Sequence, residues 1–459
     1  MSGASGIPFL PGRRVLRVGV TGLARAGKTA FLTSAAANLL AVGSNPSALP
    51  ALAGRTLRAS IAPAAAEPLP RFDYRRHLAA LAGDPPRWPE RTGAVSLLAL
   101  NVEIPRAGLL GSALGSRSVR LEFLDYPGEW LLDLPLLGQD FARWSATTLR
   151  RLETAEAAPL ARDFLAYASG LPARAPADET LAATGHQLYR AALVRLRDEA
   201  GLSFLQPGRF LMPAPGPEPP WSAFFPFAGG GGLSTLLASR YDAYREAVQR
   251  DLVAPSFGQV DRLVVLADIL AALHAGRAAF ADMAGALSGV AEALSFRRPW
   301  TDAIPFLSPL LDALPLPAWL TAGGIRRVAF AATKVDHVAE RQRGNLAALV
   351  RALTRLPPAA EAAKTAAFAI AAVRCTEDFV WTLEGRNVSA VRGRVLGGSA
   401  LTRSYPGEVP DRLPDDGFWA HEFLALPAFE PARLPADGRL GVPQIGMDAL
   451  LAFLLEDVL

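Results

Sequence analysis

Eight consecutive residues, Gly22-Leu23-Ala24-Arg25-Ala26-Gly27-Lys28-Thr29, have the types and spacing of a phosphate-binding loop. Gly22 and Gly27 allow backbone torsions and a close approach that a Cβ would block. Successive amides, among them those of Ala24, Arg25, Ala26 and Ala30, then point at a β-phosphate, aided by a helix N-terminus. Lys28 can bridge the β- and γ-phosphates, and the Thr29 hydroxyl can ligate magnesium. The only lysines are Lys28, Lys334 and Lys364 among many arginines. In such a chain lysine should persist where a compact ammonium on a thin stem is needed. The bland alternative for the loop is a glycine turn before a helix.

Further motifs follow in an order that suits the same chemistry. Asp125 in Asp125-Tyr126-Pro127-Gly128 can hold magnesium through water, and the Gly128 N–H can sense a γ-phosphate. A simple turn is the alternative. In Thr333-Lys334-Val335-Asp336 the carboxylate can accept both the N1–H and the 2-amino group of guanine. Adenine lacks that donor pair and would leave the aspartate poorly paired. The Lys334 stem would cover base and ribose; the alternative is a helix N-cap at Asp336. An amide of Val373 or Arg374, in the loop after the last core strand, is placed to touch guanine O6. In Trp88-Pro89-Glu90-Arg91-Thr92, Thr92 is a candidate for binding magnesium and the γ-phosphate in the triphosphate state only, with Ser96 as the fallback.

The residue after Gly128 is Glu129, where a glutamine would orient the attacking water. A carboxylate there adds repulsion, so slow turnover is expected. Glu129 is a candidate base, and a surface glutamate is the alternative. Arg25 and Arg91 are candidates for positive charge supplied in cis.

The elements that must position these residues can be read from apolar periodicity. Residues 15–21 form a strand that runs into the glycine loop, and 28–40 a helix. After a polar, Pro-rich stretch, runs 95–104 and 119–124 form a hairpin joined by the Gly-rich 108–115. Helical patterns cover 131–152, 160–170, 179–199 and 234–252. Between them, residues 204–227 hold Phe210, Trp221, Phe224, Phe225 and Phe227 among prolines. These aromatics either dock on a partner or membrane, or close over the protein's own helices. Strands 262–267, 326–332 and 366–372 alternate with helices ending near 294 and 356. A β- and turn-rich tail, 379–442, precedes a last helix over 447–459. The alternation predicts an α/β fold, with a mostly parallel sheet covered on both faces.

With 459 residues, 51% of them hydrophobic, the chain has ample core for more than one domain or a large insertion. One cysteine, Cys375, excludes an internal disulfide and fits a reducing compartment. No signal-peptide core and no uninterrupted spanning segment is apparent, so a cytoplasmic protein is expected. The net charge is only +4 and the arginines are scattered, so no nucleic-acid partner is expected. The five histidines lack metal-ligand spacing.

Taken in order, these motifs resemble those of translation-factor and Ras-like GTPases. More closely, the chain resembles the YcjX family of bacterial P-loop proteins, over nearly its whole length. The matching stretches are residues 21–31, 88–92, 125–135, 206–210, 264–276, 333–336 and 373–376. Asp125-Tyr126-Pro127-Gly128-Glu129-Trp130 is quite specific. The resemblance implies a Ras-like core over 1–128 and 258–376 and a helical insertion over 129–257. A β/turn-rich extension, 377–459, would pack its terminal helix back on that core. It also implies GTP or GDP with magnesium, a role in envelope stress, and a small membrane-protein partner that would bring the protein to the inner membrane. Two other readings stay open: an ATPase with a chance Thr-Lys-x-Asp, and a nucleotide-gated scaffold with negligible hydrolysis.

Overall fold

The computed structural model describes residues 14–55, 58–63, 69–90, 95–105, 116–213, 216, 218–250, 260–295, 325–355, 365–421, 426–434 and 440–458. β1 (Arg14–Gly22) is rich in β-branched residues, buried from Val18 onward, and leads through the glycine loop to α1 (Lys28–Ala41). β2 (Arg58–Ile61) and α2 (Tyr74–Ala82) follow. β3 (Ser96–Pro105) and β4 (Ser116–Asp125) pair antiparallel, as the hairpin pattern predicts. The Gly-rich connection between them lies outside the described residues.

The later strands are β5 (Arg262–Ala267), β6 (Arg327–Ala332) and β7 (Thr365–Ala369). They form one seven-stranded sheet in the order β2-β3-β4-β1-β5-β6-β7. All pairs from β4 to β7 are parallel, and β2 and β3 add an antiparallel edge. β2 escapes sequence reading because its four residues are half exposed and carry little pattern. Every residue of β5 is buried, as a central parallel strand requires. Its side chains alternate between two cores. Val264 and Leu266 pack with Phe31 of α1 and with the terminal helix, while Leu263 and Val265 face the helices on the other side.

Between β4 and β5 the described elements are all helical. α3 (Gly128–Leu131) opens the run, followed by α4 (Phe141–Leu152), α5 (Ala158–Gly170) and α6 (Glu179–Asp198). α7 (Gly208–Leu211) and α8 (Gly231–Val248) complete it. The single helix expected over 131–152 is broken. Pro135 sits in a 3-10 turn over Leu134–Gly138, Gln139 is extended, and the Asp140 side chain caps α4 by accepting from Arg143 N at 2.8 Å. The helix expected after β5 also splits, into α9 (Ile269–His274) and α10 (Arg277–Ser295). Gly276, at φ +100°, makes the break. α11 (Glu340–Thr354) lies between β6 and β7.

The tail folds as an antiparallel sheet of β8 (Thr376–Leu383), β9 (Arg386–Arg394) and β10 (Leu401–Ser404). The short α12 (Asp416–Trp419) and α13 (Met447–Leu455) follow. α13 returns to the sheet, where Met447, Leu450, Leu451 and Leu454 join the core beneath α1. Arg262, fully buried, donates from Nε to the Leu454 carbonyl and from Nη2 to both carboxylate oxygens of Asp457, each at 2.6 Å. No helix among the described residues is long and apolar enough to cross a membrane.

Four of the five aromatics of the 204–227 stretch close over the protein's own helices, and Trp221 is half-buried. Phe224 and Phe225 are fully buried, and Phe210 and Phe227 nearly so. Phe224 packs edge-on to Trp144, Tyr241 and Tyr244. Truncation of so central a ring should be costly: Phe224→Ala is expected to lower the unfolding free energy by about 3–5 kcal/mol, measured by denaturant melts.

Asp133 is the one carboxylate among the described residues with no exposed surface. It accepts from the Tyr244 hydroxyl at 2.6 Å and the Gly208 amide at 2.7 Å. Burial nevertheless raises its carboxyl to about 6, against the pull of those donors and of Arg209. The folded value thus exceeds the unfolded one, so stabilisation present below about pH 4 is lost as pH rises through about 6. Asp133→Asn removes this titration. From pH 4 to 7 the wild type should lose about 2 kcal/mol relative to that variant, read from urea melts at each pH.

Candidate functional site

The glycine loop joins the end of β1 to the start of α1, the strand–loop–helix context that phosphate binding requires. Gly22 is closed in by β5: a Cβ there would lie 2.6 Å from the Leu266 carbonyl oxygen. The Leu23 amide donates to that same oxygen at 2.9 Å. Two residues of the loop adopt left-handed torsions, Arg25 at φ 62° and Gly27 at φ 81°. Ala24 and Lys28 are half-buried, Arg25 is exposed, and Ala26, Thr29 and Ala30 are buried. The first-turn amides of α1 have no intrahelical acceptors and lie beside the Lys28 and Thr29 side chains.

Asp125 ends β4, almost fully buried, in register with Val20 of β1 and Ser96 of β3. The Tyr126 amide donates to the Val20 carbonyl at 2.9 Å and holds the turn to the start of the glycine loop. Gly128 then meets that loop directly. A Cβ at Gly128 would fall 1.7 Å from the Gly22 carbonyl oxygen and 3.3 Å from Lys28 Nζ. Glu129 follows in the first turn of α3, half-buried. Two buried hydroxyls nearby in the strands, Thr21 Oγ1 and Ser96 Oγ, have no protein hydrogen-bond partner. Thr92 and Arg91 lie outside the described residues.

A second set of loops leaves the same edge of the sheet after β5, β6 and β7. Thr333 donates its hydroxyl to the Ala267 carbonyl at 3.3 Å. Lys334 is held at φ 59°, and its ammonium pairs with Asp268 at 2.5 Å. Asp336 is 2% exposed, and its Oδ2 accepts the Cys375 amide at 2.8 Å. The Thr376 hydroxyl donates to the Asp336 carbonyl. The N-cap reading of Asp336 is therefore overturned: α11 starts later, at Glu340, and the Asp336 side chain bridges to the loop after β7. In that loop Val373 is buried. The Arg374 amide donates to the Pro443 carbonyl at 2.7 Å, so this N–H is already used. Burial, reinforced by the Asp336 charge, pushes the Cys375 thiol well above its ordinary range, which disfavours a thiolate nucleophile.

Sequence reading missed Asp268. It caps α9 by accepting from Ala271 N at 3.1 Å, and it fixes the Lys334 ammonium. The available signal was a carboxylate directly after an all-apolar strand, the same placement as Asp125 after β4.

Strand order makes neighbours of these distant motifs. β4, β1, β5, β6 and β7 are adjacent and parallel, so their carboxyl ends and the loops leaving them share one edge. Along it lie a glycine cradle with an ammonium, a hydroxyl and carboxylate suited to a hard cation, and a second buried carboxylate.

That arrangement has relatives over its whole length. A protein named Ras-like GTPase YcjX from Escherichia coli (strain K12) is 34% identical over 472 aligned residues, covering 97% of this chain and 96% of the relative. Another protein of that name, from Shewanella oneidensis, is 33% identical over 476 aligned residues, covering 97% and 95%. The family model described as "YcjX-like family, DUF463" matches residues 16–459. The chain belongs to the YcjX-like family.

Proposed function

We propose that the protein binds GTP and GDP with magnesium at this edge and hydrolyses GTP slowly. The carrying observation is the packing of Gly128 against the Gly22 carbonyl, so close that a Cβ would not fit, on the side where the Lys28 ammonium lies. A turn seated there would lie beside a γ-phosphate held by Lys28, and its amide would respond to that phosphate's presence. The relatives' name, Ras-like GTPase, supports the same chemistry.

The roles follow from residue type. The amides of Ala24, Arg25 and Gly27 through Ala30, with the Lys28 ammonium, would hold the phosphates, while those of Leu23 and Ala26 already bond the Leu266 and Leu23 carbonyls. Thr29, Asp125 and Thr92 would hold magnesium. Their few hard oxygens suit an ion that keeps several waters and uses phosphate oxygens as ligands. Bound there, magnesium would neutralise charge on the β- and γ-phosphates. Asp336 would take the guanine N1–H and 2-amino group; the Cys375 amide on its Oδ2 orients the carboxylate for that task. Thr333 and Lys334 would flank the base, and the Val373 amide would reach O6. Slow turnover is argued from Glu129, whose charge repels the γ-phosphate, and from the exposure of Arg25. In this reading residues 1–128 and 258–376 are the nucleotide-binding core, 129–257 a helical insertion and 377–459 an extension.

Calorimetry with GDP, GTP and ATP, with and without magnesium, tests the reading. GDP and GTP should bind about 10- to 100-fold more tightly than ATP, the scale set by leaving a buried polar group unpaired. Equal affinities would replace it with an ATPase. Asp336→Ala should abolish the guanine preference while leaving weak binding of both triphosphates. Lys28→Ala should lose GTP more than GDP, in the same titration, because the γ-phosphate contact goes with the ammonium.

A further inference from the structure

The position of Gly128 needs a second support. On one side it rests on Gly22 and Lys28. On the other, Glu129 rests on Gly208, which belongs to the helical region 79 residues further on. A Cβ at Gly208 would lie 1.8 Å from the Glu129 carbonyl oxygen. The backbones therefore touch, and any shift of Gly208 is a shift of the turn.

Hydrogen bonds hold that contact closed, and most converge on Asp133. Its Oδ1 accepts the Gly208 amide at 2.7 Å. Its Oδ2 accepts the Tyr244 hydroxyl at 2.6 Å and, more loosely, the Arg209 amide at 3.3 Å. Gln206 donates to the Leu132 carbonyl at 2.5 Å, and the Trp130 indole to the Met212 carbonyl at 2.8 Å. The Arg209 guanidinium lies over the Trp130 ring, 5.1 Å from its centroid. Gln206 and Trp130 bonds reach single carbonyls. Only Asp133 ties three donors, from two separate helices, to the segment that begins at Gly128.

We infer that Asp133 is a positioning residue for hydrolysis: it clamps the 206–212 segment onto the Gly128–Glu129 turn and so keeps the γ-phosphate sensor in register with Lys28. This rests on the proposed GTPase reading of the site. Asp133 touches no nucleotide itself. Its removal would leave the Gly208 amide and the Tyr244 hydroxyl buried without an acceptor, which favours release of the segment. The residues proposed to hold GDP belong to other elements, α1 and the loops after β6 and β7, and do not depend on this clamp.

The test compares Asp133→Ala, Asp133→Asn and Gly208→Ala with the wild type, using GDP titration, single-turnover GTP hydrolysis and hydrogen exchange of the nucleotide-free protein. Asp133→Ala should slow hydrolysis at least about tenfold, the scale on which small misplacement of a reacting group acts, with GDP affinity within about twofold. Asp133→Asn can still accept from the Gly208 amide and donate to the Tyr244 hydroxyl, so it should recover most of the rate. Gly208→Ala should slow hydrolysis although Asp133 is intact. In hydrogen exchange, Asp133→Ala should expose amides of 128–133 and 206–212 while β4 and α1 stay protected. Unchanged hydrolysis in Asp133→Ala and Gly208→Ala would overturn the clamp, as would loss of GDP affinity in step with the rate. Should Asp133→Ala not fold, Tyr244→Phe, which removes one donor without a cavity, replaces it and should slow hydrolysis by a smaller factor. A wild type that neither binds GDP nor hydrolyses GTP overturns the GTPase reading instead, and the exchange pattern then judges the clamp alone.

Discussion

A methyl group at residue 128 would fall 1.7 Å from the Gly22 carbonyl oxygen, a distance no two unbonded atoms tolerate. The turn after β4 and the loop after β1 are thus packed backbone against backbone, with the Lys28 ammonium beside them. Such contact is possible only where residue 128 has no side chain. It requires β4 and β1 to be adjacent and parallel, so that both chains leave the sheet at the same edge. β5, on the other side of β1, supplies the second restraint: its Leu266 carbonyl accepts the Leu23 amide and leaves no room for a side chain at Gly22.

The same sheet order carries the rest of the site. β6 and β7 continue the parallel run, and Asp336 and Cys375 bind each other across the loops that follow them. Asp268, at the end of β5, pairs with the ammonium of Lys334, whose backbone has a torsion that non-glycine residues seldom adopt. Two cores, one on each face, fix the sheet. One lies under α1 and the C-terminal helix α13, which Arg262 pins through Leu454 and Asp457. The other is shared with the helices between β4 and β5.

Those helices are joined to the site by more than apolar packing. A fully buried carboxylate is costly, and burial raises Asp133 despite the donors around it. What the protein obtains is geometry: two helices and the turn meet at one pair of oxygen atoms. The aromatic residues around Phe224 form the rigid body that carries Tyr244 and Gly208 to that meeting point.

The residue types of the candidate site can be read along the chain. The phosphate cradle is legible because its eight residues are contiguous, and Asp125 and Asp336 because each follows an apolar run. Strands β5, β6 and β7 and most helices were readable from periodicity, since a buried strand and an amphipathic helix each repeat their pattern within a few residues. Breaks within helices were not, because Pro135 and Gly276 act at single positions inside otherwise helical patterns. Chain packing, by contrast, settles that Phe210, Phe224, Phe225 and Phe227 are core, that Asp336 grips Cys375 39 residues away and that Lys334 grips Asp268 66 residues away. It also decided that Asp133 reaches Gly208, 75 residues on. Aromatic rings surrounded by prolines carry the same letters whether buried or exposed, and a carboxylate's partner across such distances depends on strand order, which no local pattern encodes.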